Sequence, residues 1–219
     1  MIRVLCLCGL LALPVCRASA DEYWIAYEGN DFPENEGWRR ITFGGGAERF
    51  LDQGNFVIDS LASTQIADFY EMRRNGELDP DPGELFLMQW RLRIEEVIGF
   101  MDISLGVNSD ERWAIAFQMN TDTIRSALEG LTASFDPGVF HEFALTSTNM
   151  RTYELRIDGK PAIKGQFRLF FDSSRVGWGD GIQGSASLSR WDYFKFGVVP
   201  EPNSALLFSL AFMIRRDQR

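Results

Sequence analysis

The chain of 219 residues carries 31 acidic against 22 basic side chains, a formal charge of −9, with 45% hydrophobic and 24% charged residues. That balance excludes a disordered polyelectrolyte and a multi-span membrane protein. It also speaks against nucleic acid as a partner, because phosphate backbones are gripped by clustered Lys and Arg, and the lysines here are just Lys160, Lys164 and Lys195.

Residues 1–20 read as a secretory leader. Arg3 supplies the positive start, Val4 to Val15 the apolar stretch, and Ala18-Ser19-Ala20 a small-residue cleavage site, so the mature chain is expected to begin at Asp21. A lipoprotein signal ending at Cys16 is the weaker alternative, because Val15 stands where such signals place a small residue. Cys6, Cys8 and Cys16 all lie in this leader. The exported body is therefore expected to hold no disulfide, no thiolate metal site and no Cys nucleophile, and to rely on an apolar core.

Strands are expected through the middle of the chain. In Met88 to Glu95, Met88, Trp90, Leu92 and Ile94 alternate with Gln89, Arg91, Arg93 and Glu95, the period of a half-buried strand. The pattern recurs at Met101 to Val107, Trp113 to Met119 and Tyr153 to Ile157. Further strands are expected at Asn55 to Ser60, Asp68 to Met72, Glu142 to Thr146, Ala162 to Phe170 and Ser187 to Phe196. Trp90, Trp113 and Trp191 fall on the inward side of these patterns. Asn108-Ser109-Asp110, Asp158-Gly159 and Gly177 to Gly181 read as turns, and Asp158-Gly159 suits a type I′ hairpin, whose central residues both need positive φ. Asp122 to Gly130 is the one stretch with helical spacing, through Ile124, Leu128 and Leu131. Many short strands with little helix predict an all-β, antiparallel two-sheet sandwich occupying residues 21–197 as one domain.

From Phe140 onward the order of parts adds a resemblance. Phe140-His141-Glu142-Phe143, Tyr153 to Lys160 with its Asp158-Gly159, Val176-Gly177-Trp178-Gly179-Asp180, and Ser189-Arg190-Trp191-Asp192-Tyr193-Phe194 resemble the second half of concanavalin A-like and laminin G-like jelly rolls. The resemblance covers roughly residues 55–197. It implies a jelly-roll body and does not fix a ligand, since such folds host many functions.

The chemistry open to this body is narrow. His141 is the only histidine, and its alternation with Phe143 and Leu145 places it on the core face of a strand. No Gly-x-Ser-x-Gly elbow occurs, which argues against a Ser-His-Asp enzyme. Jelly-roll glucanases carry acids as Glu-x-Asp-x-x-Glu or Glu-x-Asp-x-Glu on one strand. Neither string is present, so the body is expected to be non-catalytic, with glycosidase action on extracellular polysaccharide as the alternative. No metal site or cofactor is expected. Calcium is the exception that the resemblance keeps in view, through Asp79, Asp81 and Glu84 in the Pro-rich loop, and Asp180; these are read here as solvated acidic turns. For a glycan, the candidate ligand-binding residues are Trp178 and Asp180, where the flanking glycines would let a ring and a carboxylate face solvent together; closure of the sandwich end by Trp178 is the competing reading.

Residues 198–219 carry a last signal. Pro200-Glu201-Pro202, the apolar run Ala205 to Ile214 interrupted by Ser209, and the tail Arg215-Arg216-Asp217-Gln218-Arg219 resemble the PEP-CTERM sorting domain of bacterial exported proteins. The resemblance implies an exosortase-type membrane transpeptidase as partner, cutting near Pro200 to Pro202, with Arg215 and Arg216 holding the tail on the cytoplasmic side during a transient membrane contact. The run departs from a full span: residues 205–214 extend about 15 Å as a helix, half of a bilayer core of about 30 Å. The sequence as a whole is read as an exported surface or matrix protein whose expected molecular role is contact with an extracellular glycan. A purely structural partner of other envelope proteins is the remaining alternative.

Overall fold

In a computed structural model, residues 25–74, 77–109, 111, 113–169, 174–181 and 184–201 are described. The leader, Pro202, Arg215, Arg216 and the apolar run fall outside them. Two eight-stranded antiparallel sheets face each other. The first runs β13 (Lys160–Gln166), β12 (Thr152–Ile157), β11 (His141–Ser147), β6 (Glu84–Ile98), β16 (Ala186–Pro200), β4 (Asn55–Asp59) and β3 (Glu48–Asp52), with β1 (Ile25–Tyr27) also paired to β16. The second runs β10 (Thr132–Ser134), β9 (Thr123–Ser126), β8 (Trp113–Met119), β7 (Ile103–Asn108), β15 (Arg175–Asp180), β5 (Ala67–Arg73) and β2 (Arg39–Phe43), with β14 (Arg168–Leu169) on β8. The protein is the all-β, antiparallel two-sheet sandwich that the alternation predicts, with the jelly-roll architecture that the resemblance implies.

Period two decides which side chains enter the core. Met88, Trp90, Leu92 and Ile94 are buried along β6, while Gln89, Arg91 and Arg93 are only half-buried on the other face. In β16 the strict alternation breaks: the register shifts between Trp191 and Tyr193, the extra residue being Asp192. A bulge of this kind changes the phase of a strand by one residue. Here it lets Trp191, Phe194 and Phe196 all point inward. Asp158 and Gly159 both have positive φ, 49° and 75°, as the type I′ hairpin between β12 and β13 requires.

Several expectations are corrected. Residues 122–130 form no helix; Thr123–Ser126 is β9, hairpinned to β10. Ile124 and Ser126 alternate inward, whereas Leu128 and Leu131, the other members of the supposed helical face, are exposed. The single helical piece among the described residues is a 3-10 turn at Pro33–Glu36. Trp113 is only partly buried, its ring capped by the Arg151 guanidinium at 4.3 Å. Residues 177–181 are not a turn. They belong to β15 and its exit, hydrogen-bonded between β5 and β7.

β15 sets the centre of the core. Trp178 is 0% exposed and meets the rings of Trp191, Tyr27, Tyr70, Phe194, Trp38 and Phe56 at centroid distances from 4.6 to 6.2 Å. Tyr27, Phe56, Trp191 and Phe194 come from the first sheet and Tyr70 from the second, so the indole bridges the two layers. Aromatic pairs at such distances stabilise by about 0.5–1.5 kcal/mol beyond area burial. Truncating Trp178→Ala is expected to destabilise the domain by about 3–5 kcal/mol, read as a fall in the denaturant midpoint with unchanged slope. A change below about 1 kcal/mol would contradict this placement.

Candidate functional site

β15 has two faces with opposite duties. Val176, Trp178 and Asp180 point into the core; Gly177 and Gly179 face the outer side, where they too are buried beneath their neighbours. The candidate ligand-binding pair Trp178 and Asp180 is therefore turned inward, which corrects that candidate and agrees with the competing reading of Trp178 as a residue of the sandwich interior. The glycines do not make a tight turn. Instead they keep a strand flat against a neighbour: a Cβ on Gly179, whose φ is +135°, would lie 2.5 Å from the Asp68 carbonyl oxygen. A Cβ on Gly177 would lie 2.4 Å from the Phe69 ring. The Phe69 ring thus lies over the glycine floor of the strand beside it.

The result is a groove of about 370 Å³ on the outer face of the second sheet. Its floor is made of small residues, Ser104 and Gly106 on β7, Ala114 and Ala116 on β8, and Gly177 on β15. Phe69 lies along it, and Phe43 and Leu128 stand at its sides, 59% and 42% exposed. Pairing registers place Ile41 opposite Phe69, and Arg39 opposite Glu71. They also place Arg175 between Arg73 and Asn108. An apolar half of the groove therefore runs into a polar half. Glu71 is 1% exposed; Oε2 accepts from Arg175 Nη1 at 3.1 Å, and Oε1 lies near Arg39 Nε at 3.3 Å and Arg73 Nε at 3.5 Å. Sequence reading missed this set. Phe69 and Glu71 lay in a strand that was recognised, but β2 was not, and no local spacing tells that three arginines from three strands meet at one carboxylate.

Asp180 does something else. Its carboxyl is buried in the core end beside Asp102, also 0% exposed. Burial, then the hydrogen bond and negative charge of Asp102, push the Asp180 carboxyl up to about 9. Ser60 pulls the other way and Asp68 adds to the rise, Asp68 itself being held by Arg40 Nη2 at 2.7 Å and the Ala47 N–H at 2.7 Å. At neutral pH Asp180 thus keeps its proton and bridges to Asp102, a link between β15 and β7.

His141 is 6% exposed, as its alternation predicts, with Nδ1 2.7 Å from Asp158 Oδ2 and Nε2 2.7 Å from the Asp136 carbonyl. Burial alone would raise the Asp158 carboxyl; the Glu142 N–H at 3.0 Å and His141 more than offset it and hold Asp158 below its ordinary value. The ring ties a hairpin to the preceding loop. Of the carboxylates weighed for calcium, Asp79 Oδ2 accepts from the Glu111 N–H at 3.0 Å and ties the Pro-rich loop to the β7–β8 connection, and Glu84 Oε2 accepts from the Asp81 N–H at 3.0 Å within a turn. Among the described residues no three acidic, His or Cys side chains gather in one place. Pro200 closes β16 opposite Glu84, and the Glu201 N–H donates to the Gly83 carbonyl at 2.9 Å. The first two residues of Pro-Glu-Pro thus sit on the end of the first sheet.

No family model and no curated protein sequence matches the chain. Solved structures do. A carbohydrate esterase, vb_24B_21, from the Shiga toxin-encoding bacteriophage phi24B superposes with a TM-score of 0.60 at 11% identity, over 80% of this chain and 97% of that one. A structure described as a native glycosidic hydrolase gives 0.54 at 11%, over 80% and 95%. The carbohydrate recognition domain of Emp47p gives 0.51 at 15%, over 81% and 96%. At these identities the likeness defines the fold: a concanavalin A-like jelly roll. It also corrects the expectation of a non-catalytic body, because enzymes as well as recognition domains share this two-sheet frame.

The proton on Asp180 has a measurable consequence. The unfolded carboxyl releases its proton near 3.8 and the folded one near 9, so between those values the folded state binds more protons. This contribution to stability is full below pH 3.8 and falls as pH rises toward 9, by at most about 1.4 kcal/mol per pH unit. Asp180→Asn keeps the shape and a donor to Asp102. It is expected to unfold at higher denaturant than the parent at pH 8–9, the gap shrinking toward pH 4; a gap that does not vary with pH counts against the shared proton.

Proposed function

We propose that this is an exported carbohydrate-binding protein that holds a glycan along the groove of the second sheet. The observation that carries the reading is the Phe69 ring laid on a glycine floor, beside Asn108 and an Arg175 guanidinium that the buried Glu71 carboxylate holds in place. Pyranose rings present one apolar face and a rim of hydroxyls, and a flat aromatic surface next to fixed hydrogen-bonding groups matches both. The groove lies on strands rather than loops, so it is formed before the ligand arrives and little ordering cost is added on binding. Carbohydrate recognition and carbohydrate chemistry both occur on this fold, in the Emp47p domain and in the phage esterase, which supports a sugar as the ligand class. A glycan-acting enzyme is the second reading, favoured by the esterase and hydrolase likeness. Glu71 is the one carboxylate among the described residues that line the groove, whereas glycoside hydrolysis takes two, so binding is the step that these residues account for.

Export and sorting rest on the sequence. The leader ending at Ala20 would deliver the domain outside, and the PEP-CTERM-like segment with Pro202, Arg215 and Arg216 would present it to an exosortase-type partner at the cell surface. Mass spectrometry of the surface or secreted form is expected to find Asp21 as the first residue and no Arg219; an intact Arg219 there contradicts C-terminal cutting.

Glycan binding is tested by calorimetry against a panel of extracellular oligosaccharides. Phe69→Ala is expected to weaken binding at least tenfold, with a smaller fall in the unfolding midpoint than Trp178→Ala gives, because the ring is half-buried on the outer face and not in the core. Gly177→Ala, which drives a Cβ into the same ring, is expected to do likewise. Unchanged affinity in both variants removes the groove from the function.

A further inference from the structure

We infer that the glycan held in the groove is anionic, with a carboxylate or sulfate group taken at Arg39 and Arg73; this rests on the groove being the sugar site. The polar half of the groove is built unequally. Glu71 offers one negative charge, and three guanidiniums from β2, β5 and β15 surround it: Arg175 lines the groove, and Arg39 and Arg73 stand just beyond its lining. Its carboxylate is 1% exposed, so it is shielded from any ligand. The side chains of Arg39 and Arg73 are 62% and 58% exposed. A surface arginine pairing with a carboxylate gains most when its fork makes two parallel hydrogen bonds. Neither arginine does so here. Each is nearest to Glu71 Oε1 through Nε, at 3.3 and 3.5 Å, and Oε1 has no hydrogen-bond partner. Arg175 donates its hydrogen bond to Glu71 Oε2, whereas the forks of Arg39 and Arg73 sit on side chains that face water. Glu71 therefore acts as a positioning residue: it holds the arginines together, and one negative charge against three positive leaves the cluster with a surplus of two positive charges.

Spacing along β5 fits a sugar chain. Phe69, Glu71 and Arg73 share one face, and four residues of strand separate the ring from Arg73 by about 13 Å. One sugar ring on Phe69 places the acidic substituent of a following residue at the arginines. The sign of the patch also stands out against the whole. In a chain with a formal charge of −9, general attraction for a polyanion is absent, so an anionic ligand is drawn by this local cluster and not by the overall field.

The test uses the intact protein and four probes: trigalacturonate, its methyl ester, galactotriose, and a sulfated galactose trisaccharide. Trigalacturonate or the sulfated trisaccharide is expected to bind at least tenfold tighter than the ester and galactotriose, the preference identifying which anion the site takes. That advantage should shrink as salt rises. In Arg39→Gln/Arg73→Gln the advantage should disappear while residual affinity for galactotriose persists. Because removing both arginines uncovers Glu71, Arg39→Lys/Arg73→Lys serves as the second variant; it keeps the charge, and a partial loss of the preference with the unfolding midpoint retained separates ligand contact from folding. Equal affinity for acid, ester and neutral sugar overturns the anionic assignment and leaves sugar binding standing. Failure of all four probes to bind, in the parent and in every variant, overturns both.

Discussion

The constraint on which the rest depends is the two-sided demand placed on β15. Neighbours on a strand point to opposite faces, so a strand lying between β5 and β7 must satisfy a core on one side and a surface on the other with alternate residues. Trp178 fills the core side at the meeting point of the two sheets, stacked on Tyr27 and Tyr70 at 5.0 Å each. Gly177 and Gly179 on the other side leave nothing standing above the backbone. The same alternation thus produces the bridge between the layers and the floor of the groove. Moving the register of β15 by one residue would put the indole in the groove and a glycine in the core, which ties the stability of the body to the shape of the site.

Charge is distributed by the same two-layer logic. The outer face of the first sheet is covered by paired charges: Arg190 bridges Asp52 at 2.5 Å and Glu95 at 2.6 Å, Arg91 meets Asp192, and Lys164 and Arg156 share Glu154. Arg190 holds Glu95 below its ordinary value, against the burial that would raise it, with Arg93 acting in the same direction. Such surface pairs each contribute little to stability. The outer face of the second sheet is different, with small and aromatic residues where the first has charged ones and a cluster of arginines at one end. A jelly roll whose two outer faces differ this much has one face available for a ligand with an apolar side, and the enzymes and recognition domains of the same fold show that one frame accommodates several chemistries.

Buried acid is the other device of the fold. Asp180 and Asp102 sit where β15 and β7 close the core end, and a carboxyl pair that keeps a proton is a hydrogen-bonded link rather than a repulsion. Asp158 works in the opposite sense, ionised and tied to His141 and a backbone N–H. The unique histidine is thereby occupied as a structural tie, as its place in the alternation suggested, and Glu84 closes a turn in the Pro-rich loop.

The sequence by itself determined the class of fold, because period-two alternation in segments such as Met88 to Glu95 leaves one face of each ribbon apolar and two such faces must meet. It also determined the type I′ turn at Asp158-Gly159 and the inward position of His141, both local consequences of backbone sterics and strand phase. What it misread was local ambiguity. A Gly-Trp-Gly-Asp string is compatible with a turn or with a strand whose small residues face out, and Ile124, Leu128 and Leu131 fit a helix as well as a hairpin until neighbours are present. Only the tertiary structure decided the groove and its arginines, since Arg39, Glu71, Arg73 and Arg175 come from β2, β5 and β15, and their meeting depends on inter-strand register. Register is fixed by partners distant in the chain, and no spacing within one strand records it.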